Sequence, residues 1–127
     1  MFTAKCPIWM GATDSTGAIY FAELFRLALE SFEHDIQEKE LGLKVLRHQG
    51  VAFPIVHAEA DYLHPICLGD QLKVDAEMGD VGNSSFAIKY VFSREGIIVA
   101  HVKIVHVYTL HGKSSAIPPS FLASIKR

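Results

Sequence analysis

A single amphipathic segment constrains the fold of this chain more than any other part of its sequence. It follows a polar stretch at residues 11–16 and continues to about Leu41, where Gly42 favours the end of a helix. No second helical pattern of comparable length is present, so we expect a sheet to cover its apolar face. The apolar residues of that face recur at spacings of three and four: Phe21, Leu24, Phe25, Ala28 and Phe32.

The rest of the chain predicts strands. Residues 2–10 are extended in character, and Pro7 favours an edge position for them. The last predicted strand is apolar on both faces for much of its length, so we expect it to be central, with one face under the helix. Glycine-containing turns separate the four later strand segments: residues 53–63, 71–78, 85–93 and 97–110.

Two short helices are also expected, at residues 43–48 and 120–126. The element order is then one strand, one long helix and four antiparallel strands, which is an α+β arrangement. One helix can cover only part of one face of a five-stranded sheet. In a chain of 127 residues a second copy of the chain is the expected cover, which predicts at least a homodimer.

Charge and composition exclude several classes of function. The net charge is -2 and no stretch is basic enough to follow a phosphate backbone, so we expect no nucleic acid partner. No run of 18 or more apolar residues is present, which argues against a membrane span. Residues 1–5 lack a secretory signal pattern, and two cysteines do not make a disulfide framework, so we expect a reducing, cytoplasmic setting.

Asp14 stands at the predicted junction between the polar loop and the long helix. A helix start presents N–H groups without intrahelical partners and carries a partial positive charge. A negative oxygen that develops during acyl transfer would be stabilised there. The alternative is structural, because Asp14, Ser15 or Thr16 could serve only to cap the helix. The residues alone leave both interpretations open.

Seven histidines raise the question of a metal site. His57 and His64 lie an odd number of residues apart along extended chain, so they face opposite sides of a strand, and the same holds for His101 and His106. No carboxylate or cysteine completes a ligand set, so we expect no metal. A serine hydrolase is not expected without a Gly-x-Ser-x-Gly elbow, and Cys6 has no adjacent helix start to activate its thiol.

Two motifs carry a family resemblance. The first is DSTGAIYF at residues 14–21, and the second is FPIVHAEADYLHP at residues 53–65, followed by Gly69 and Asp70. Together with the element order, they resemble the hotdog-fold acyl-CoA thioesterases of the 4-hydroxybenzoyl-CoA thioesterase family. Residues 54–58 and 30–32 are similar to the branch of that family that hydrolyses 1,4-dihydroxy-2-naphthoyl-CoA in quinone biosynthesis.

The resemblance implies one hotdog thioesterase domain over residues 1–127, with a five-stranded antiparallel sheet wrapped around one long central helix. It implies hydrolysis of an aromatic or bulky acyl-CoA, with 1,4-dihydroxy-2-naphthoyl-CoA as the leading substrate, without a cofactor or metal. The expected assembly is a homodimer that pairs into a tetramer. Two alternatives are a thioesterase for short-chain acyl-CoA or acyl-carrier protein, and a non-catalytic acyl-CoA-binding module, which would not need Asp14.

The resemblance also implies roles for residues of the first motif. Asp14 matches the catalytic carboxylate, either as the nucleophile or as a base acting on water. The backbone N–H of Phe21, in the first turn of the helix, matches the oxyanion donor. Gly17 matches the position where the backbone runs close to the substrate, and Tyr20 is implied as a further substrate contact.

Other implied contacts come from later in the chain. His57 is implied to contact the acyl group or a partner-subunit loop, and the alternative is a buried, hydrogen-bonded histidine. Ser84 and Ser85 match a region near the active site of the neighbouring subunit, and the alternative is ordinary loop polarity. The basic cluster that some family members use for the nucleotide phosphates is replaced by Gly-Asn-Ser at residues 82–84, which leaves phosphate-binding residues unassigned.

A second hotdog branch places its catalytic carboxylate inside the helix. Glu23 and Glu30 occupy the predicted helix here, and both are candidates for that alternative. Because the loop carboxylate Asp14 is present, we expect both glutamates to be solvated or interface residues instead.

Overall fold

The computed structural model describes residues 1–39 and 42–127. The helices in that part of the chain are α1 (Glu23–Glu38), α2 (Leu43–His48) and α3 (Pro119–Lys126). The strands are β1 (Phe2–Pro7), β2 (Val51–Ala52), β3 (Ile55–Tyr62), β4 (Gln71–Val81), β5 (Ser85–Arg94), β6 (Ile97–Val107), β7 (Thr109–Leu110) and β8 (Lys113–Ser114).

Five of these strands form one antiparallel sheet in the order β1-β4-β5-β6-β3, and β2, β7 and β8 form a small second sheet. The predicted α+β arrangement with a five-stranded antiparallel sheet is therefore confirmed, while the main helix, α1, has 16 residues and is shorter than predicted. Both short helices also lie where the sequence predicted them. The small second sheet was not predicted, because two-residue strands carry too little pattern to be recognised.

The apolar face of α1 packs against the sheet, where the helix contacts β1, β3 and β6. Burial of such side chains stabilises the fold by roughly 1.5–3 kcal/mol each. Phe21 does not belong to this face, because it precedes the helix and its side chain is 65% exposed. The residues of α1 that are fully buried are Leu24, Ala28, Phe32 and Ile36.

Residues 97–110 do not form the middle strand of the sheet, although the expected contact with the helix is confirmed, because α1 packs on β6. β5 occupies the middle of the sheet, and β6 lies between it and the edge strand β3. One face of β6 carries the exposed His101 and the half-buried Lys103 together with the half-buried Val105 and Val107, so this face is neither wholly apolar nor fully buried. The strand ends at Val107, and the next N–H, that of Tyr108, donates to the Ser84 carbonyl at 2.7 Å.

Other strand ends differ from prediction because of irregular pairing. β4 continues through Val81, beyond the predicted end at residue 78, because a register shift after Met78 lets Val81 pair with Phe86. β3 begins at Ile55 and not at residue 53, since the Pro54 carbonyl instead accepts a hydrogen bond from the Val107 N–H. β1 ends at Pro7, short of residue 10.

The edge strand β3 is exposed over almost its whole length. It pairs with β6 on one side, and no described strand pairs with its other side. Ile55 and Val56 present apolar side chains to solvent there. An exposed apolar edge strand is a ready template for another chain, so this edge is a candidate for contact with a second copy.

Candidate active site

Asp14 lies in a tight loop that closes where Thr13 pairs with Ile19. The Asp14 N–H donates to the Ala18 carbonyl at 2.8 Å, and the Gly17 N–H donates to the Asp14 carbonyl at 3.2 Å. Gly17 has a φ of +83°, a left-handed conformation that glycine adopts without steric cost. The chain therefore reverses direction within residues 14–18.

This loop does not lead directly into the helix, which corrects the predicted start of α1. The helix begins at Glu23, and Ala22 is its N-cap residue, without a side-chain capping hydrogen bond. The capping interpretation of Asp14, Ser15 and Thr16 is therefore wrong. The predicted end near Leu41 lies outside the described residues.

The helix starts late because the preceding residues pair with a distant segment. The Ile19 N–H donates to the Ile66 carbonyl at 2.8 Å, and the Leu68 N–H donates to the Gly17 carbonyl at 2.9 Å. These hydrogen bonds hold residues 18 and 19 in bridge pairing with that segment and not in a helix. A sequence pattern of helical periodicity cannot show such a competing partner, since it lies many residues away.

The segment that holds the loop is itself fastened by Asp70 and Arg94. One Asp70 carboxylate oxygen, Oδ2, accepts hydrogen bonds from Arg94 Nη1 at 2.6 Å and from the Cys67 N–H at 2.8 Å. Arg94 Nη1 also donates to the Pro65 carbonyl at 2.9 Å. We call this arrangement of Pro65, Cys67, Asp70 and Arg94 the turn clamp. It gives the Gly-Asp of the second motif a supporting role.

The Asp14 carboxylate is exposed in the protomer and is held by its own loop. Its Oδ1 accepts hydrogen bonds from the Thr16 hydroxyl at 2.5 Å and from the Thr16 N–H at 2.8 Å. These bonds, the hydroxyl first, hold the pKa of Asp14 below its usual value, because they favour the charged carboxylate. The second oxygen, Oδ2, accepts no hydrogen bond from the described residues and remains open to a substrate or water.

The Phe21 N–H is the second feature of the site. It lies just before the N-cap residue and not in the first turn of the helix, which corrects its predicted position. The Tyr20 carbonyl accepts the Glu23 N–H at 2.9 Å. Since the C=O and N–H of a trans peptide point in opposite directions, the Phe21 N–H points away from the helix. No acceptor for this N–H is present within residues 1–39 and 42–127.

The structure brings Asp14, Gly17, Tyr20 and Phe21 together in one short segment. The Tyr20 and Phe21 rings are both exposed, with their centroids 4.9 Å apart. Beside this segment, a groove of about 350 Å³ runs between residues 18–19 and residues 62–66. This largely apolar groove ends at the loop that carries the free carboxylate oxygen.

The three remaining predicted contacts lie elsewhere. His57 is exposed on β3, with its Nε2 3.3 Å from Glu59 Oε1, so the alternative of a buried histidine is wrong. His57 lies on an edge strand whose two faces are both exposed. The alternation of buried and exposed residues that is expected along a strand therefore does not bury it. Ser84 and Ser85 flank the start of β5. In the described part of the chain no hydrogen bond joins these three residues to the Asp14 loop.

The other candidate groups have partners or are inert. Arg26 pairs with Glu23 through Nε at 2.6 Å and with Glu30 through Nη1 at 2.8 Å, so both helix glutamates are occupied in ion pairs. Burial, and then the nearby Glu30, raise the pKa of the Cys6 thiol to about 11, which keeps it protonated.

The histidine pattern of β6 is as predicted: His101 is exposed, while His106 is buried and its Nδ1 lies 2.9 Å from the Phe53 carbonyl. Within the described ranges, no group of three or more His, Cys, Asp or Glu residues is placed to hold a metal. No helix there is long and apolar enough to cross a membrane.

The sheet, the long helix and the Asp14 loop together define a thioesterase-like protein. A family model described as the Thioesterase-like superfamily matches residues 8–125, and the chain belongs to that superfamily. The resemblance seen in the two sequence motifs and the predicted hotdog fold are thereby confirmed.

Two curated relatives are named 1,4-dihydroxy-2-naphthoyl-CoA hydrolase. The one from Prochlorococcus marinus (strain NATL2A) is 30% identical over 111 residues, which cover 81% of this chain and 72% of the relative. The one from Nostoc punctiforme is 32% identical over 107 residues, which cover 84% and 72%. A crystal structure of a 1,4-dihydroxy-2-naphthoyl-CoA thioesterase from Synechocystis matches with a TM-score of 0.87 at 25% identity, covering 98% of this chain and 94% of that one.

Proposed function

We propose that this protein is an acyl-CoA thioesterase that hydrolyses 1,4-dihydroxy-2-naphthoyl-CoA to the free acid and CoA. The observation that carries the proposal is the pairing, within one segment, of the ionised Asp14 carboxylate with the unbonded Phe21 N–H. Hydrolysis of a thioester needs these two groups, one to attack or activate water and one to stabilise the oxyanion. The names of the curated relatives support the choice of acyl group.

The mechanism follows from the two groups. The Phe21 N–H donates to the thioester carbonyl oxygen and stabilises the negative charge that develops there, by about 3 kcal/mol for a well-aimed donor. In one route Asp14 attacks the carbonyl carbon, the C–S bond breaks, CoA leaves as the thiolate, and water then hydrolyses the mixed anhydride. In the other route Asp14 takes a proton from water, which attacks directly.

We further propose that the active unit is a homodimer, and that dimers pair into tetramers. The exposed edge of β3 supports this assembly, and so do the apolar side chains Trp9, Met10, Leu63 and Leu68, which are exposed in segments that flank the site. The partner copy would cover the groove beside Asp14. Because His57, Ser84 and Ser85 do not reach the loop of their own protomer by hydrogen bonds, we assign them to the site of the partner copy.

The remaining assignments complete this proposal. We assign residues 1–127 to one hotdog thioesterase domain that uses no cofactor other than the CoA of its substrate. The two cysteines are both free thiols, which supports a reducing, cytoplasmic setting.

A thiol-release assay over a panel of acyl-CoA substrates tests the function. The panel contains 1,4-dihydroxy-2-naphthoyl-CoA, other aromatic acyl-CoAs, short-chain acyl-CoAs and an acyl-carrier protein. We expect the naphthoyl substrate to give the highest kcat/KM. A higher value for short-chain acyl-CoA or carrier protein would reassign the substrate, and no release from any substrate would refute the enzymatic assignment.

Asp14→Asn tests the site in the same assay. We expect kcat to fall by at least about 100-fold, the scale of a lost general base, with an unchanged unfolding temperature. Asp75→Asn is the matched control, because Asp75 Oδ1 also accepts a threonine hydroxyl, that of Thr3, at 2.5 Å, but lies on the sheet. Near-native turnover of Asp14→Asn would refute the role of Asp14.

A further inference from the structure

Tyr62 links the end of an edge strand to the turn that carries the oxyanion donor. It is the last residue of β3, and its hydroxyl donates a hydrogen bond to the Phe21 carbonyl. Among the described residues, no other side chain forms a hydrogen bond with residues 19–22. The phenol is therefore the one side-chain tether of this turn in the described part of the protomer.

The backbone that supports the phenol is firmly held. Tyr62 pairs with Ala100 of β6. Directly after it, the Leu63 and His64 N–H groups both donate to the Val99 carbonyl, at 2.8 Å and 3.2 Å. Tyr62 also lines the groove that borders the Asp14 loop. The tether is thus anchored in the main sheet and not in another loop.

The tether acts on the peptide that follows Phe21. The peptide before Phe21 carries the donor N–H, and its carbonyl, that of Tyr20, accepts the Glu23 N–H at 2.9 Å across a turn that contains the peptide after Phe21. The orientation of the donor N–H therefore depends on the peptide to which Tyr62 is bonded. The peptide after Phe21 has its carbonyl bonded to Tyr62, and its N–H, that of Ala22, has no acceptor within the described residues. Without the phenol, this second peptide would have no hydrogen bond of its own to the described protomer, and only the Tyr20–Glu23 bond that spans it would restrain rotation about the Phe21 Cα–C bond.

We propose that Tyr62 is a positioning residue for catalysis: its hydroxyl holds the Phe21 backbone so that the Phe21 N–H stays aimed at the thioester carbonyl oxygen. The inference rests on the proposed thioesterase function and deepens it. Tyr62 acts through Phe21 and does not touch the reacting atoms. Donors contribute most to catalysis when they are fixed before the charge develops, so loosening this turn weakens transition-state binding more than substrate binding.

The ionisation of the phenol does not interfere with this role. Partial burial raises the pKa of Tyr62 above its usual value, because desolvation disfavours the phenolate. The hydroxyl therefore keeps its proton, and its ability to donate, across the neutral pH range of a thioesterase assay. We expect no pH dependence of kcat from Tyr62 between about pH 6 and pH 9, given an ordinary tyrosine pKa near 10.

Tyr62→Phe removes the hydroxyl and keeps the ring. We expect kcat to fall about 10-fold, less than the roughly 100-fold or greater loss for removal of an oxyanion donor, while KM changes less than about 2-fold. Tyr90→Phe is the matched control, because the Tyr90 hydroxyl is buried in β5 without a hydrogen-bond partner among the described residues. Its kcat and KM should equal those of the wild type.

Amide hydrogen exchange supplies a readout that does not need activity. In Tyr62→Phe we expect faster exchange than in the wild type at Glu23, whose N–H donates to the Tyr20 carbonyl and closes the turn, with unchanged exchange in β5 and β6. A purely structural role would instead lower the unfolding temperature without separating kcat from KM. The unfolding temperature of both variants is therefore measured alongside the kinetics.

The outcomes separate this inference from the proposed function. An active wild type with an unchanged kcat in Tyr62→Phe would overturn the positioning role and leave the thioesterase assignment intact. If the wild type hydrolyses no acyl-CoA, both the proposed thioesterase function and the catalytic role of Tyr62 are overturned. Unchanged exchange at Glu23 in Tyr62→Phe would overturn the tether itself, whatever the activity.

Discussion

Asp14 and Asp75 have similar local chemistry in two different regions of the molecule. Each carboxylate accepts a 2.5 Å hydrogen bond from a threonine hydroxyl, that of Thr16 or Thr3. In each case this bond is the first cause of a pKa below the usual value. Asp75, however, also lies 3.3 Å from the Lys73 ammonium, whereas Asp14 forms no ion pair with any described residue.

The surroundings of the two carboxylates differ more than the carboxylates themselves. Asp75 lies on β4, in register with Thr3 on one side and Val91 on the other. Asp14 lies in a loop beside an unbonded N–H and an apolar groove. A lowered pKa is therefore no mark of a catalytic carboxylate in this protein. What distinguishes Asp14 is a free oxygen in a loop whose following residues carry an unbonded N–H and line an apolar groove.

Moving each carboxylate by one methylene sharpens this contrast most. We expect Asp14→Glu to lower kcat about 100-fold, because a displacement of roughly 1 Å in a reacting group has an effect of that size. Asp75→Glu should leave kcat within about 2-fold of the wild type. Steady-state kinetics on the naphthoyl substrate measure both, and equal losses in the two variants would remove the distinction between the regions.

A change in the backbone of the Asp14 loop should have a smaller effect. Gly17 has a positive φ and open space around the position of a Cβ atom, so Gly17→Ala adds backbone strain without a clash. We expect a stability loss of about 1–2 kcal/mol, measured by urea unfolding, and a roughly 10-fold fall in kcat. Gly11→Ala is the control, since Gly11 has open space but no positive φ. If both variants behave alike, the conformation of Gly17 does not set the loop.

The smallest expected effect is a shift in pH dependence. In the proposed mechanism Asp14 acts as the carboxylate, so we expect activity above its pKa and a loss of activity as the pH falls through it. Thr16→Val removes the hydroxyl that holds the pKa of Asp14 low, so the acid limb of kcat/KM should move to higher pH, with neutral-pH activity nearly unchanged. Thr3→Val makes the same change at Asp75 and should leave the limb in place. A carboxyl titration by NMR locates each pKa directly.

The sequence was sufficient for those features of the fold that depend on local pattern. Helical spacing correctly predicted that Leu24, Ala28 and Phe32 face the sheet, and all three are fully buried. Strand existence was also predictable from alternation and turns. The start of α1 was not, because residues 17–19 pair with residues 66–68, and the strength of that distant pairing has no signature in the helical pattern.

The candidate site was likewise predictable only where its residues lie close together in the sequence. Asp14, Gly17 and Phe21 stand close together in sequence, so one short motif identified them. Tyr62 and Arg94 were missed as supporting residues because their contacts join segments 41 and 29 residues apart. The only available signal was their neighbourhood, since Tyr62 and Asp70 both stand in or beside the second motif. The alternative of a buried His57 was wrong because the sequence does not show that β3 lies at the edge of the sheet.

The turn clamp separates two tasks that many binding loops combine. Its hydrogen bonds come from Asp70, from Arg94 and from backbone groups, while the side chains of Leu63 and His64 face the groove without serving in the clamp. Substitutions at these two positions can therefore reshape the groove without loosening the loop that bears Asp14. A scaffold of this kind lets substrate preference drift in evolution while the reaction chemistry stays constant.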